Sequence, residues 1–281
     1  MALNLDLVGK ASDPITHTYS WRDTVLYALG VGAKTPDELD VLFEMNGPKV
    51  LPTFAVVPSF TAMLQVCGKL GANMAMVVHG EQSIRLHRPI APNGTLQTVA
   101  VVTGIYDKGK GAVAVVEAKT VDDAGHPVFD NIFSIFVRGA GGFGGDRGPE
   151  TVTVEPPDRA PDFAITERTS AEQAALYRLS GDLNPLHISP SMAQAVGFER
   201  PILHGLCTYG FAGRAIVHAV CGGDSRKLRS FAARFSAPVL PGDELTTSGW
   251  RNADGSYLIR VTAGEGDARK TVLSNARVEN G

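Results

Sequence analysis

The run LSGDLNPLHISPSMAQAVGFERPILHGLCTYG, Leu179 to Gly210, places an Asp, an Asn and a His within six residues. A second His, followed by Gly, stands seventeen positions further on. Ser180-Gly181-Asp182 breaks the helix-like AEQAALYRL before it, and Pro185 forces the residue ahead of it out of the α region. The tight turn that results can aim Asp182 and His187 at one small volume. A carboxylate and an imidazole sharing a water suit general acid–base work near neutral pH. Asn184 can hold that water or orient its neighbours without titrating. Pro201-Ile-Leu-His-Gly205 leads into an apolar helical pattern, which puts the amide of Gly205 at a helix amino terminus. Free N–H groups there stabilise an anion. Together these groups fit chemistry that passes through an enolate.

Blander readings compete residue by residue. Asp182 alone could cap the backbone, and His187 alone could be a core histidine. The cluster, with His-Gly ahead of a helix, favours the chemical reading. A metal is not expected, because His187 and His204 lack close ligand spacing and no Cys pair supports them. A serine nucleophile is not expected either, since the chain has no G-x-S-x-G elbow.

Two similar halves must position these groups. RLHRPIAPNGTL (85–96) lies over RFSAPVLPGDEL (234–245) at a constant offset of 238 − 89 = 149. Strand-like runs follow each copy: LQTVAVVTGIY, AVAVVEAKTV and FDNIFSIFVR, then LTTSGW, SYLIRVTAG and KTVLSNARVE. Turn residues (DKGKG, DDAGHP, RNADG, EGD) separate them. A helix-like pattern precedes each copy, SFTAMLQVCGKLG and GLCTYGFAGRAIVHAV, the latter with an apolar stripe through Tyr209, Ala212, Ile216, Ala219 and Val220. Each half therefore reads as an α+β unit, one helix and an antiparallel meander, and the two sheet edges can pair within the chain. The predicted organisation is a repeat over 1–138, a Gly/Pro-rich linker over 139–165 and a second repeat over 166–281. Gly139, Gly141 and Gly144 match G-x-G-x-x-G, but prolines follow where a dinucleotide site needs a helix.

The 44% hydrophobic and 20% charged residues are ordinary for a globular protein, and a formal charge of −3 predicts neither nucleic acid nor an anionic membrane as partner. No run approaches a membrane span, no signal peptide or Ser-Lys-Leu ending is present, and Cys67, Cys207 and Cys221 lack C-x-x-C spacing. These features predict a cytoplasmic protein with reduced thiols.

LSGDLNPLHISPSMAQAVGF resembles the signature of the MaoC-like, R-specific enoyl-CoA hydratases, or hydratase 2. WRDTVLYALGVGA, VLPTFAVVP, HGEQ, RGAGGFGG and PILHGLCTYGF extend the resemblance through nearly the whole chain, towards the hydratase 2 unit of peroxisomal multifunctional enzymes type 2. The resemblance implies a double hot-dog fold whose second half alone carries the motif, the first half making room for a bulky acyl chain. It implies reversible hydration of trans-2-enoyl-CoA to (3R)-3-hydroxyacyl-CoA. Asp182 and His187 match the family's catalytic pair, Asn184 its supporting amide, and Gly205 the backbone donor to the thioester oxygen. His79, Gly80, Lys108 and Phe235 match substrate and CoA contacts, with Lys108 a flexible cation for a phosphate. No cofactor is implied, coenzyme A being part of the substrate, and a homodimer is. The competing functions are a hot-dog thioesterase and a non-catalytic acyl-CoA-binding subunit; the intact Asp182/Asn184/His187 set argues against both.

Overall fold

The computed structural model describes residues 3–73, 76–150 and 152–281. The first half runs β1 (Ile15–Tyr19), α1 (Trp21–Gly30), α2 (Leu39–Leu42), α3 (Val56–Lys69), β2 (Val77–Leu86), β3 (Gly94–Asp107), β4 (Gly111–Asp122) and β5 (Pro127–Arg138). The second runs β6 (Phe163–Arg168), α4 (Gln173–Tyr177), α5 (Pro190–Ala195), α6 (Gly205–Val220), β7 (Leu228–Phe235), β8 (Glu244–Arg251), β9 (Tyr257–Ala263) and β10 (Lys270–Asn280). All the strands join one antiparallel sheet in the order β1-β3-β4-β5-β2-β7-β10-β9-β8-β6. Adding five to each label of the first half gives the second half in mirror order. This is a double hot dog, each half wrapping its sheet around its long helix.

The meander strands form where residues alternate. In β5, Phe129, Asn131, Phe133, Ile135 and Val137 are buried, and the residues between them are not. Two short edge strands, β1 and β6, lack long β-branched runs and were not apparent in the sequence. β6 starts at Phe163, so 163–165 belongs to the sheet and not to the linker. There the Phe163 ring fills the space beside Gly249, where a Cβ would lie 2.1 Å from it. Helix α6 is buried on every side from Leu206 to Val217, whereas Ala219 is exposed. Its apolar stripe is thus no guide to orientation, because the first half covers the face that would otherwise meet solvent.

The repeat offset is visible in the seam. Strand β2 pairs with β7 through Glu81↔Arg234, Ser83↔Ala232 and Arg85↔Ser230. Since 232 − 83 = 149, Ser83 faces its own repeat equivalent, and the outer two pairs exchange (234 − 149 = 85; 81 + 149 = 230). A local two-fold axis therefore passes between Ser83 and Ala232. One apolar core crosses this seam, joining Tyr27, Phe54 and Ile84 to Tyr209, Phe231 and Leu273.

The same offset lays Pro36 over Pro185 (185 − 36 = 149). It puts Ala33, Thr35 and Glu38 where the second half has Asp182, Asn184 and His187. Glu38 is built into an ion cluster instead. Its carboxylate lies 2.7 Å from Arg214 Nη1 and 2.8 Å from His218 Nε2. Arg214 is buried on α6, donates to the Val31 carbonyl and also pairs with Glu167. Burial alone would raise the Glu38 pKa, but the hydrogen bonds from His218 and Arg214 and the guanidinium charge bring it to about 2.

The glycine-rich segment after β5 opens no helix. Asp107, at the end of β3, accepts the N–H groups of Gly109, Gly142 and Gly144, each at 2.8 Å. Gly142 and Gly144 have φ of +80° and +75°, which lets successive N–H groups converge on one anion. The nest that a nucleotide phosphate would need is filled by the protein's own carboxylate.

Candidate functional site: an Asp–His pair beside a helix terminus

Segment 178–187 folds as two short turns. A 3-10 turn, Arg178–Ser180, closes α4, and a second, Pro185–His187, begins with Pro at its first position. The side chains between them fix the shape. Asp182 Oδ1 accepts the N–H of Asn184 at 3.2 Å, and Asn184 Oδ1 accepts that of Leu186 at 3.0 Å. The carbonyl end of Asn184 therefore caps the turn that turns His187 inward.

His187 is buried, with Nδ1 2.9 Å from the carbonyl oxygen of Ile202. A carbonyl only accepts, so Nδ1 carries the proton and the neutral ring keeps its lone pair on Nε2. His204, the residue before α6, is likewise buried, and its Nε2 lies 3.1 Å from the main-chain oxygen of Asp182. That nitrogen must be the donor too. The rings of His187 and His204 stack at 3.8 Å and 29°, and the Tyr177 ring lies 5.0 Å from His204. Ligating atoms of Asp182, His187 and His204 all lie within 4.8 Å of one another. Sequence spacing misjudged this pair of histidines, because α5 and the loop after it return the chain to where it left. The signal was present in part: His at a helix start is a poor cap compared with Ser, Thr, Asp or Asn, which points to another task.

Burial raises the Asp182 pKa, against the opposing charge of His187 and the N–H of Asn184. Burial lowers that of His187, against its hydrogen bond to Ile202 and the Asp182 charge. The two move towards each other, the direction that suits a pair exchanging a proton. Burial, then the neighbouring His187 charge, brings His204 down to about 3. It stays neutral at pH 7, so the stacked pair never holds two adjacent positive charges.

Gly205 is the first residue of α6, where N–H groups precede the helical ladder. A Cβ there would lie 3.1 Å from the Phe235 ring, so Gly admits that ring to the helix end. Phe235 in turn lies 4.9 Å from the His79 ring. Strand β2 bulges between His79 and Glu81, at Gly80, where a Cβ would approach the Ser134 carbonyl at 3.2 Å. The bulge brings His79 Nε2 to 3.1 Å from the Glu81 carbonyl, and burial pulls its pKa down to about 4. His79, Phe235 and Gly205 thus form one line of contact. An apolar cleft lined by Val56, Val57, Phe60, Tyr177 and Leu206 ends at Ser180 and Asp182, so both halves contribute walls. Lys108 is not among these groups. It sits at the β3–β4 turn, where its Nζ donates to the carbonyl of Arg147.

Residues 17–139 match the MFE-2 hydratase 2 N-terminal domain and residues 152–273 the MaoC like domain. The chain is 43% identical to 3-hydroxyacyl-thioester dehydratase Y of Mycobacterium tuberculosis, over 99% of each protein. This chain belongs to the MaoC-like hydratase 2 family. Within that family it is also 39% identical to a probable enoyl-CoA hydratase 2 of Dictyostelium discoideum, covering 90% of this chain and 92% of that one. A crystal structure of a MaoC-like dehydratase from Phytophthora capsici superposes with a TM-score of 0.89 at 34% identity, covering 99% of this chain and 98% of that one. Among the described residues of this family member, no helix is long and apolar enough to cross a membrane.

Proposed function

We propose that this protein hydrates trans-2-enoyl-CoA reversibly to (3R)-3-hydroxyacyl-CoA, with Asp182 and His187 as the acid–base pair. The observation that carries this reading is the His187 tautomer. With Nδ1–H held by Ile202, the Nε2 lone pair is left beside the Asp182 carboxyl group. A water between them gives up a proton to the pair as its oxygen bonds Cβ of the enoyl group. The pair returns a proton to Cα, so atoms balance and the site regains its starting charge. The N–H of Gly205 faces the thioester oxygen, which carries the enolate charge between those events. Asn184, its carbonyl committed to the turn, has its NH2 group left for the water or the substrate. The apolar cleft takes the acyl chain, and the line His79–Phe235–Gly205 flanks the thioester. Because water is held on one face only, one enantiomer forms.

Support for acyl-CoA chemistry comes from relatives named as an enoyl-CoA hydratase and a thioester dehydratase. The working form we infer is a cytoplasmic homodimer. Exposed Leu179, Leu183, Ile188 and Met192 offer an apolar surface to a second copy, and all three cysteines are unpaired and buried. The test is crotonyl-CoA, followed by loss of the enoyl absorbance, by free thiol and by chiral analysis of the product. A hydratase removes the enoyl band without thiol and yields the (3R) alcohol. Thiol release would establish a thioesterase, and no change a binding subunit.

A further inference from the structure

Helix α6 begins with a residue whose side chain does not cap it. The main-chain oxygen of His204 accepts the N–H groups of Cys207 and Thr208, but its ring caps nothing and turns into the protein, where the residue is 1% exposed. The ring makes two other contacts. Its Nε2–H donates to the main-chain oxygen of Asp182 at 3.1 Å, and it stacks on His187 at 3.8 Å and 29°. Its Nδ1 is buried and has no hydrogen-bond partner among the described residues. An unmet buried acceptor is a cost that a phenyl ring in the same place would avoid while still stacking. What a phenyl ring lacks is the N–H that reaches Asp182.

The turn held by that N–H has few other ties. Gly181 bends it with φ of +125°, and nothing lies within 4 Å of where a Cβ would be. Leu183, Asn184 and Pro185 at its tip are exposed. The bond from the Asn184 N–H to the Asp182 carboxylate stays inside the turn. The His204 bond ties the turn to the start of α6, twenty-two residues on, and the next residue is Gly205.

We propose that His204 is a positioning residue, a plate and a tether that hold His187, Asp182 and the helix end at Gly205 in one fixed arrangement, without exchanging a proton or binding the substrate. This rests on the Asp182–His187 reading above and adds what keeps the pair in register. A positioning ring has to stay neutral beside a histidine that takes up protons, and burial does this by bringing His204 to about 3. The charged groups facing the two rings are the Asp182 carboxylate and Arg178. Tyr177, 5.0 Å from His204, is kept neutral by its own burial. Misplacing reacting groups by about 1 Å costs about a hundredfold in rate, so the loss of either contact falls on kcat.

Two variants separate the contacts. His204→Phe keeps the plate and loses the tether, whereas His204→Gln keeps an N–H donor and uncovers the face of His187. On crotonyl-CoA each should lower kcat about ten- to a hundredfold and leave KM within about threefold. Burial lowers the His187 pKa, so uncovering the ring in His204→Gln should raise it. The acid limb of kcat/KM, and the His187 titration followed by NMR in the free protein, should both move to higher pH in that variant and stay in place in His204→Phe. A residue that only filled space would lower Tm and move neither. Near wild-type kcat in both folded variants, a loss carried by KM, or an unmoved His187 titration in His204→Gln would overturn the proposal. So would a wild-type His204 that titrates near neutral pH, a measurement that needs no variant. If the wild type leaves crotonyl-CoA unchanged, the hydratase reading fails, and the two NMR titrations still decide the role of His204.

Discussion

Replacing Asp182 by Asn tests the acid–base pair with little structural disturbance. The main-chain oxygen of Asp182, not its carboxylate, holds His204, and the Ile202 carbonyl holds His187, so both rings keep their anchors in the variant. The amide can also still accept the N–H of Asn184. What is lost is the proton-transferring group. General acid–base contributions start at about a hundredfold, or about 2.7 kcal/mol of barrier. His187→Ala should lose a similar factor. Ligating atoms of the two groups lie within 4.8 Å of one another, and under the proposed mechanism both act on one water as a unit. Independent groups would give a double variant slower by the product, about ten-thousandfold. The arrangement here predicts a double variant close to the worse single one, a coupling of about 2.7 kcal/mol. Initial rates on crotonyl-CoA, with near-UV circular dichroism as a check of folding, measure all three. Near wild-type kcat in folded Asp182→Asn protein, or a full product of losses in the double variant, would refute the reasoning.

Gly205→Pro removes the helix-terminal N–H and should lower kcat about a hundredfold, a first helical position being one that tolerates Pro. Gly205→Ala crowds Phe235 equally but keeps the donor, so its loss should be much smaller; equal kcat losses would exclude the oxyanion role. Stability should fall with acidification. His79 and His204 take up protons near pH 6.5 when unfolded but only near about 4 and about 3 when folded, so the native state loses stability as pH drops below 6.5. At pH 5 this amounts to about 2 kcal/mol for each group. Thermal melts at pH 7.5 and 5 should show it, His79→Gln should flatten the slope, and a pH-independent Tm would contradict both assignments. Arg214→Met strips Glu38 and Glu167 of their buried guanidinium and should cost about 3–5 kcal/mol, lowering Tm by about 10 °C. Adding Glu38→Met should recover part of that loss; a double variant less stable than either single one would show that the cluster is not held by charge.

What could be read in the sequence was local. Alternation exposed the meander strands, DKGKG and DDAGHP marked hairpins, and Pro185 announced the turn that brings Asp182 and His187 together. The offset of 149 showed which residues of the two halves are equivalent, but not that Ser83 and Ala232 would face each other across the seam. What escaped was chemistry between distant residues. Glu38 and Arg214 lie on opposite halves, and nothing near either one names the other. His187 and His204 looked too far apart in sequence to meet, because their contact depends on the return path through α5. Lys108 looked like a free cation until the segment carrying Arg147 folded over it. The glycine pattern after β5 was readable as a non-helical segment, but the anion it wraps, Asp107, comes from the preceding hairpin.

The position matched between Glu38 and His187 bears on how such a protein can change. Where two identical chains make a symmetric pair, one gene writes both mouths, and any mutation that widens one widens the other. Here the two copies are written separately. The first carries Ala33, Thr35 and Glu38 at the matching positions, with Glu38 in an ion cluster with the opposite helix. Val56, Val57 and Phe60 of the apolar cleft come from that first copy, whereas Tyr177, Leu206 and Asp182 come from the other. Selection can thus reshape the cleft in one half of the gene without touching the reacting groups in the other. One wall of the cleft and the Asp182–His187 pair are inherited on separate stretches of sequence.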